Sequence, residues 1–182
     1  MTIAFIRHGM TEANEKKLFC GRTDIGLSER GIAELLILKE TVSYPKGMYV
    51  TSGLKRAAST LNILYEGAEP VIIRELMEYD FGDFEMKSHQ ELQYLENYNL
   101  WLNDENYEIP NGESRKEFKE RVKTGIEKLK KISRNTVCVC HGGVISVAME
   151  SLFPGKSDFI GGPPFGRGYT VDFGVNIDYK KI

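Results

Sequence analysis

The order of segments along the chain predicts an α/β protein: a three-layer sandwich whose largely parallel central sheet, with an antiparallel edge strand, is flanked by helices. Three observations carry this expectation. Short apolar runs alternate with stretches of helical period. Parallel strands need a crossover between them, and a helix supplies it. Two of the apolar runs also end in glycine-flanked histidines, as strands do where they feed turns at one edge of a sheet.

Ile3 to Ile6 is the first such run and reads as a buried strand. Ser28 is a plausible N-cap for the helix that follows, with Ile32, Leu35 and Leu36, and then Lys39 and Val42, on or beside its inner face. Met48 to Thr51 is the second strand, and a helical stretch from Ser52 reaches Leu64. Val71 to Ile73 is the third strand. The aromatic and acidic segment from Ser88 to Asn111 is expected to hold a helix over Ser88 to Tyr98, then a loop ending at Pro110 and Gly112. Ser114 and Glu117 then fit a capping box, with Phe118, Val122, Ile126, Leu129 and Ile132 forming a stripe at helical spacing. Thr136 to Cys140 is the fourth strand and runs into His141, Gly142 and Gly143, which open a helix to Phe153. Tyr169 to Phe173 and Val175 to Tyr179 alternate around Gly174 as edge strands or a hairpin.

At 182 residues, with no repeat and no Pro/Gly/Ser-rich linker, the chain is expected to form one domain over 1–182. A globule of this size buries about 70% of the surface its unfolded chain exposes, so neither metal nor disulfide is needed as a staple. The 24 Lys and Arg against 26 Asp and Glu argue against a nucleic-acid partner or an anionic membrane surface, and leave a small anionic ligand open. No apolar run approaches the roughly 20 residues of a membrane-spanning helix. Met1 to Ile6 meets Arg7 and His8 with no signal-peptide pattern, so a cytoplasmic location is expected. Cys20, Cys138 and Cys140 form no even framework and read as reduced packing residues. Homo-oligomerisation is left open.

Ligands of parallel sheets bind beyond the carboxyl ends of the strands. That rule gathers Arg7-His8-Gly9, the Ser52 to Arg56 loop and His141-Gly142-Gly143 at one rim. Alone, Arg-His-Gly reads equally well as a capped strand end. Its continuation resembles the histidine phosphatase (phosphoglycerate mutase-like) superfamily. Arg7, His8, Gly9, Thr11 and Asn14 match the signature Arg-His-Gly-x-Thr/Ser-x-x-Asn, and Gly21-Arg22-Thr23-Asp24 follows in register with Leu27, Ser28 and Gly31. Ser52, Leu54, Arg56, Ala57 and Thr60 resemble the second basic motif. Leu76, Glu78, Phe81, Gly82 and Glu85 resemble the acidic one. Asn111 to Ser114 with Phe118 and Arg121 resemble the Gly-Glu-Ser segment, and His141-Gly142 the second histidine motif. Five motifs in order cover most of the chain.

The resemblance implies phosphomonoester hydrolysis on a small phosphorylated metabolite, with His8 as nucleophile and a phosphohistidine intermediate. It implies Arg7 and Arg56 as a phosphate clamp, His141 as a donor to the phosphoryl oxygens, and Glu78 as general acid and then base. Asn14, Thr11, Gly21, Arg22 and Gly142 are expected to line the phosphate site. The chemistry is coherent: guanidinium forks suit phosphate oxygens, neutral imidazole attacks phosphorus, and a helix N-terminus receives an anion. Plain structural alternatives stand beside these roles: core histidines, a helix-surface Arg56, Thr11 as a turn cap, and Arg22 as a solvated loop charge. Glu75, Asp80, Asp83 and Glu85 lie close enough to Glu78 to compete for its role. His89 reads as a surface residue, and Trp101 with Tyr94, Tyr98 and Tyr107 as packing or a lid. No metal or other cofactor is expected, because no paired His or Cys spacing is present and two arginines repel a cation.

Only 62 residues separate Glu78 from His141, a length that favours hydrolysis over the mutase outcome, in which the phosphoryl group is returned to another hydroxyl. The small size and the motifs resemble the α-ribazole phosphatase branch most. Met86, after Phe84-Glu85, and Arg115, after the Gly-Glu-Ser, depart from that branch. A non-catalytic phospho-ligand-binding module is the reading from a different class. It is disfavoured because nucleophile, clamp and acid are all present.

Overall fold

A computed structural model describes residues 1–182. Six strands form one sheet: β1 (Thr2–Arg7), β2 (Met48–Thr51), β3 (Val71–Ile72), β4 (Thr136–Cys140), β5 (Gly168–Phe173) and β6 (Ile177–Lys181), in the order β3-β2-β4-β1-β5-β6. The first four in that order run parallel. β5 is antiparallel to β1, and β6 is antiparallel to β5, so the antiparallel part is a C-terminal hairpin rather than a single edge strand.

Alternation along the buried strands splits the core in two, since successive side chains point to opposite faces. Ile3, Phe5, Val50, Cys138 and Cys140 face one way. They pack with α6 (Arg115–Lys131) and α7 (Gly142–Leu152) through Phe118, Val122, Ile126, Val144 and Ala148. Ala4, Ile6, Val137 and Val139 face the other way, against α2 (Glu29–Thr41) and α3 (Lys55–Leu64) through Leu35, Ala57 and Leu61. The three-layer expectation is met. Cys138 and Cys140 are buried, and all three cysteines are free thiols. No helix is long and apolar enough to cross a membrane.

Three local expectations need correction. On α2, Ile32 and Leu36 are exposed, while Leu35 is buried and Leu38 packs beside it. The sequence is apolar at 32 and 35–38, so its pattern admits more than one inner face, and contact with α3 selects Leu35 and Leu38. The helix expected over 88–98 is two short ones, α4 (His89–Leu92) and α5 (Glu96–Asn103), preceded by α1 (Glu12–Glu15) far earlier in the chain. Leu92 and Tyr98 are both buried, yet on a continuous helix they would stand about 120° apart, so the chain breaks between them. The last strand starts at Ile177 rather than Val175, which lies fully exposed in the hairpin turn.

α6 begins in a complete capping box. Ser114 Oγ accepts from the Glu117 amide, and the Glu117 carboxylate accepts from the Ser114 amide and hydroxyl. Ser114→Ala is therefore expected to lower stability by about 1 kcal/mol, read as a lower urea midpoint with an unchanged denaturant slope.

Candidate active site

Parallel pairing of β1 with β4 sets Arg7 opposite Cys140. The His8 amide continues the ladder to the Cys140 carbonyl at 2.9 Å. His8 and His141 therefore leave adjacent strands at the same level, and their rings meet edge to face with centroids 5.1 Å apart. Both are buried.

The His8 Nδ1–H donates to the carbonyl of Gly9 at 2.7 Å. A carbonyl can only accept, so the proton sits on Nδ1 and Nε2 carries a free lone pair. Burial, then the cations of Arg56 and Arg7, hold the His8 pKa down at about 3, against the pull of the Gly9 bond. His141 is pushed well below its ordinary value, first by burial and then by Arg56. Its Nε2 lies 2.8 Å from Ser52 Oγ, which already accepts from the Leu54 amide. The arrangement that satisfies all three groups has the Ser52 hydroxyl donating to Nε2. The His141 proton then sits on Nδ1, a buried atom with no partner in the protein.

The two arginines at the rim share one feature: backbone carbonyls, not carboxylates, hold them. Arg56, 1% exposed, donates to the carbonyls of Gly21 (2.6 Å) and Thr23 (3.0 Å). Arg7 donates to the carbonyl of Pro163 at 2.9 Å, its guanidinium carbon stands 4.1 Å from the Phe165 ring centroid, and its Nε is buried and unpartnered. A carbonyl satisfies a donor without cancelling its charge, so the surroundings of the two imidazoles stay cationic.

Thr11 caps α1. Its hydroxyl donates to Asn14 Oδ1 and accepts from the Asn14 amide, while the Thr11 amide donates to the same Oδ1. With Oδ1 thus taken, the side-chain Nδ2 of Asn14 is left to donate into the cavity it lines. Thr11 therefore does its work through Asn14, as the turn cap among its expected roles. Gly21 and Arg22 form a backbone cradle around Glu85, whose carboxylate accepts from the amides of Gly21, Arg22, Thr23 and Phe81 and from the Thr23 hydroxyl. A Cβ at Gly21 would sit 1.6 Å from the Tyr79 carbonyl oxygen, which is why glycine stands there. The Arg22 guanidinium contacts Met77 sulfur at 2.8 Å and Asp80 at 3.8 Å and is not among the cavity-lining side chains.

Glu78 enters from the loop after β3. Its carboxylate accepts from the Gly143 amide at 3.0 Å, at the N-terminus of α7, and from the Tyr79 amide. That loop is braced from α6: Arg121 donates to the carbonyls of Glu75, Met77 and Glu78 and pairs with Glu113, which in turn accepts from the Asp80 amide. A cavity of about 440 Å³ opens beside these groups, lined by Arg7, Asn14, Glu78, Gly142 and Gly143, with Phe19, Phe81, Trp101 and Phe118 as apolar walls. Trp101 packs into this aromatic wall and donates to the Tyr79 hydroxyl. His89 is exposed and contacts the Tyr98 hydroxyl. No group of three or more His, Cys, Asp or Glu side chains is arranged to hold a metal ion.

The structure thus sets Arg7, Asn14, Glu78 and Gly142 on the cavity wall, buries His8, His141 and Arg56 together beside Arg7, and uses Thr11, Gly21 and Arg22 in the loops that support them. Ser52, Thr60, Glu85, Glu113 and Arg121 matched sequence motifs without an assigned role. Their spacing was the signal, and each proves to hold a loop of the site, Thr60 by accepting from the Gly9 amide at 2.8 Å. Phe165 carried no signal at all.

Residues 3–162 match the histidine phosphatase superfamily (branch 1). The adenosylcobalamin/alpha-ribazole phosphatase of Escherichia coli K12 is 37% identical over 162 residues, covering 84% of this chain and 79% of that protein. The alpha-ribazole phosphatase structure from Shigella flexneri superposes with a TM-score of 0.82 at 31% identity, covering 96% of this chain and 92% of that one. The 2,3-bisphosphoglycerate-dependent phosphoglycerate mutase of Neisseria meningitidis is 40% identical, but over only 42% of this chain and 35% of its own length.

Two outcomes test the geometry. Glu85→Ala removes the acceptor shared by three successive amides. It is expected to cost about 2–3 kcal/mol and to strip hydrogen-exchange protection from 21–23 while sparing β4. His8, held at about 3 when folded and free to titrate near 6.5 when unfolded, binds its proton first in the unfolded chain. Its share of stability is complete above pH 6.5 and is lost as the pH falls from there to about 3. His8→Asn should lessen the fall of the urea midpoint across that window, with His141 still contributing its own share, and an unchanged pH slope would refute the assignment.

Proposed function

We propose, from the premise that this chain belongs to the histidine phosphatase superfamily, branch 1, that it hydrolyses a small phosphomonoester through His8. The observation that carries this reading is the His8 tautomer. Its Nδ1–H is held by the Gly9 carbonyl, so Nε2 is left unprotonated beside two arginines that backbone carbonyls, not carboxylates, hold.

The reaction follows from the placement of these groups. A phosphoryl group enters against Arg7, Arg56 and the side-chain Nδ2 of Asn14, with the His141 Nδ1–H and the first free amide of α7 at its equatorial oxygens. Nε2 of His8 attacks phosphorus in line, the bond to the ester oxygen breaks, and the leaving oxygen takes a proton from Glu78. Glu78 carboxylate then removes a proton from water, which attacks the phosphohistidine, and inorganic phosphate leaves with His8 restored. One carboxyl group serves both halves because the second retraces the first. The Gly143 amide and the Arg121 brace hold it still. No step requires a metal ion. The substrate class is a phosphorylated small metabolite, and the names of the relatives make α-ribazole phosphate the first compound to try. The short segment between Glu78 and His141 supports water as acceptor.

In EDTA the protein is expected to hydrolyse p-nitrophenyl phosphate and alkyl phosphomonoesters, and His8→Ala to abolish both activities. Glu78→Gln should slow alkyl esters about 10²- to 10⁴-fold and p-nitrophenyl phosphate far less, because p-nitrophenolate leaves without a proton. Equal turnover by His8→Ala would remove His8 as nucleophile. A wild type inactive on every ester would overturn the reading.

A further inference from the structure

The charge of the cavity exceeds what one phosphoryl group uses. Three cationic side chains line it, Arg7, Arg115 and Lys119, against the single carboxylate of Glu78. Arg7 belongs to the phosphoryl end. Arg115 and Lys119 stand one helical turn apart on α6, on the face that carries Phe118, and so share one wall. Phe118 meets Tyr79 edge to face with centroids 5.1 Å apart, and its Cζ reaches the start of α7 at Gly143.

Neither cation is fully engaged. Arg115 Nε is buried with no hydrogen-bond partner, and the only bond of its guanidinium is a long one, 3.4 Å, to the Leu102 carbonyl. Lys119 pairs with Glu105 at 2.9 Å, but both side chains are about half exposed, so the pair is screened and readily exchanged. A guanidinium and an ammonium at adjacent positions on an apolar wall suit a second anion better than a neutral group, which would leave the buried Nε unsatisfied.

We propose that the α6 wall is a second anion subsite, in which Arg115 and Lys119 receive a carboxylate or phosphate borne by the leaving-group portion of the substrate. This deepens the phosphomonoesterase reading and rests on it: the preferred substrate is then a phosphomonoester with a second negative charge beyond an apolar spacer. Glu105 closes the subsite from outside and is displaced from Lys119 when the anion enters.

Non-hydrolysable benzylphosphonates test the subsite without turnover. Three are compared on the wild-type protein by calorimetry, with para carboxylate, para phosphonate and para carboxamide groups. Trp101, the single tryptophan and a lining residue, gives an independent fluorescence readout. At least one of the two anionic compounds is expected to bind about fivefold more tightly than the carboxamide, and the tighter of the two identifies the group. That preference is expected to fall towards unity in Arg115→Gln and to be reduced in Lys119→Gln. Equal affinities for all three, no binding of any, or a preference unmoved in both variants would overturn the subsite. Turnover of p-nitrophenyl phosphate reads the phosphatase assignment separately. An active enzyme without the preference loses only the subsite, whereas a preference in an inactive protein loses only the phosphatase.

Discussion

The parallel pairing of β1 with β4 is the contact on which the cleft depends. Because Arg7 lies opposite Cys140, the next residue of each strand is a histidine at the same level of the sheet, and the two imidazoles meet although 133 positions separate them. A slip of one residue would turn one ring away from the cleft, since side chains alternate between faces. Register is protected by burial on both sides: Ile3 and Phe5 are locked into one core layer, Ala4 and Ile6 into the other. The packing that stabilises the sheet is thus the same packing that sets the distance between the two histidines.

Electrostatics follows from that placement. Two arginines and two histidines crowd into a space largely closed to water, where burying a charge is expensive unless it is hydrogen-bonded. Carboxylates could satisfy the arginines, but they would also cancel the field. Carbonyls of 20–23 and 161–163 serve instead, and the histidines respond by staying neutral, His8 down to a pKa of about 3. The acids of the neighbourhood are placed so that they do not spoil this. Glu85 turns into the amides of the 21–23 loop, Glu113 pairs with Arg121, and Glu78 is tied to the first turn of α7. A slightly acidic protein can therefore hold a cationic cleft.

Much of this was legible in the sequence because it is local. Strand and helix order followed from periodicity, the α6 capping box from two residues three apart, and the rim from the rule that loops after parallel strands share an edge. Where local signals conflicted, the reading failed for identifiable reasons. Ile32 and Leu36 looked internal because α2 is apolar on more than one side. Leu92 and Tyr98 looked like one helix because nothing between them signals a stop. The division of labour within motifs was equally hidden: Thr11 and Asn14 occur in one signature, yet one hydroxyl is consumed in positioning the other's amide. Phe165 could not be found at all, since an aromatic in a Gly/Pro-rich loop carries no sign that an arginine will stack beneath it.

The α/β class, the order of elements and the types of group available for phosphoryl chemistry could be read along the chain. These depend on local propensity, hydrophobic period and residue identity, all of which are written along the chain. Which ring nitrogen of His8 is free, that carbonyls rather than carboxylates hold the arginines, and that Arg115 and Lys119 line the same cavity as Glu78 emerged only with the fold. Each of those depends on the approach of atoms from segments remote in sequence, and the strength of a buried charge or hydrogen bond is set by that approach and by the exclusion of water around it.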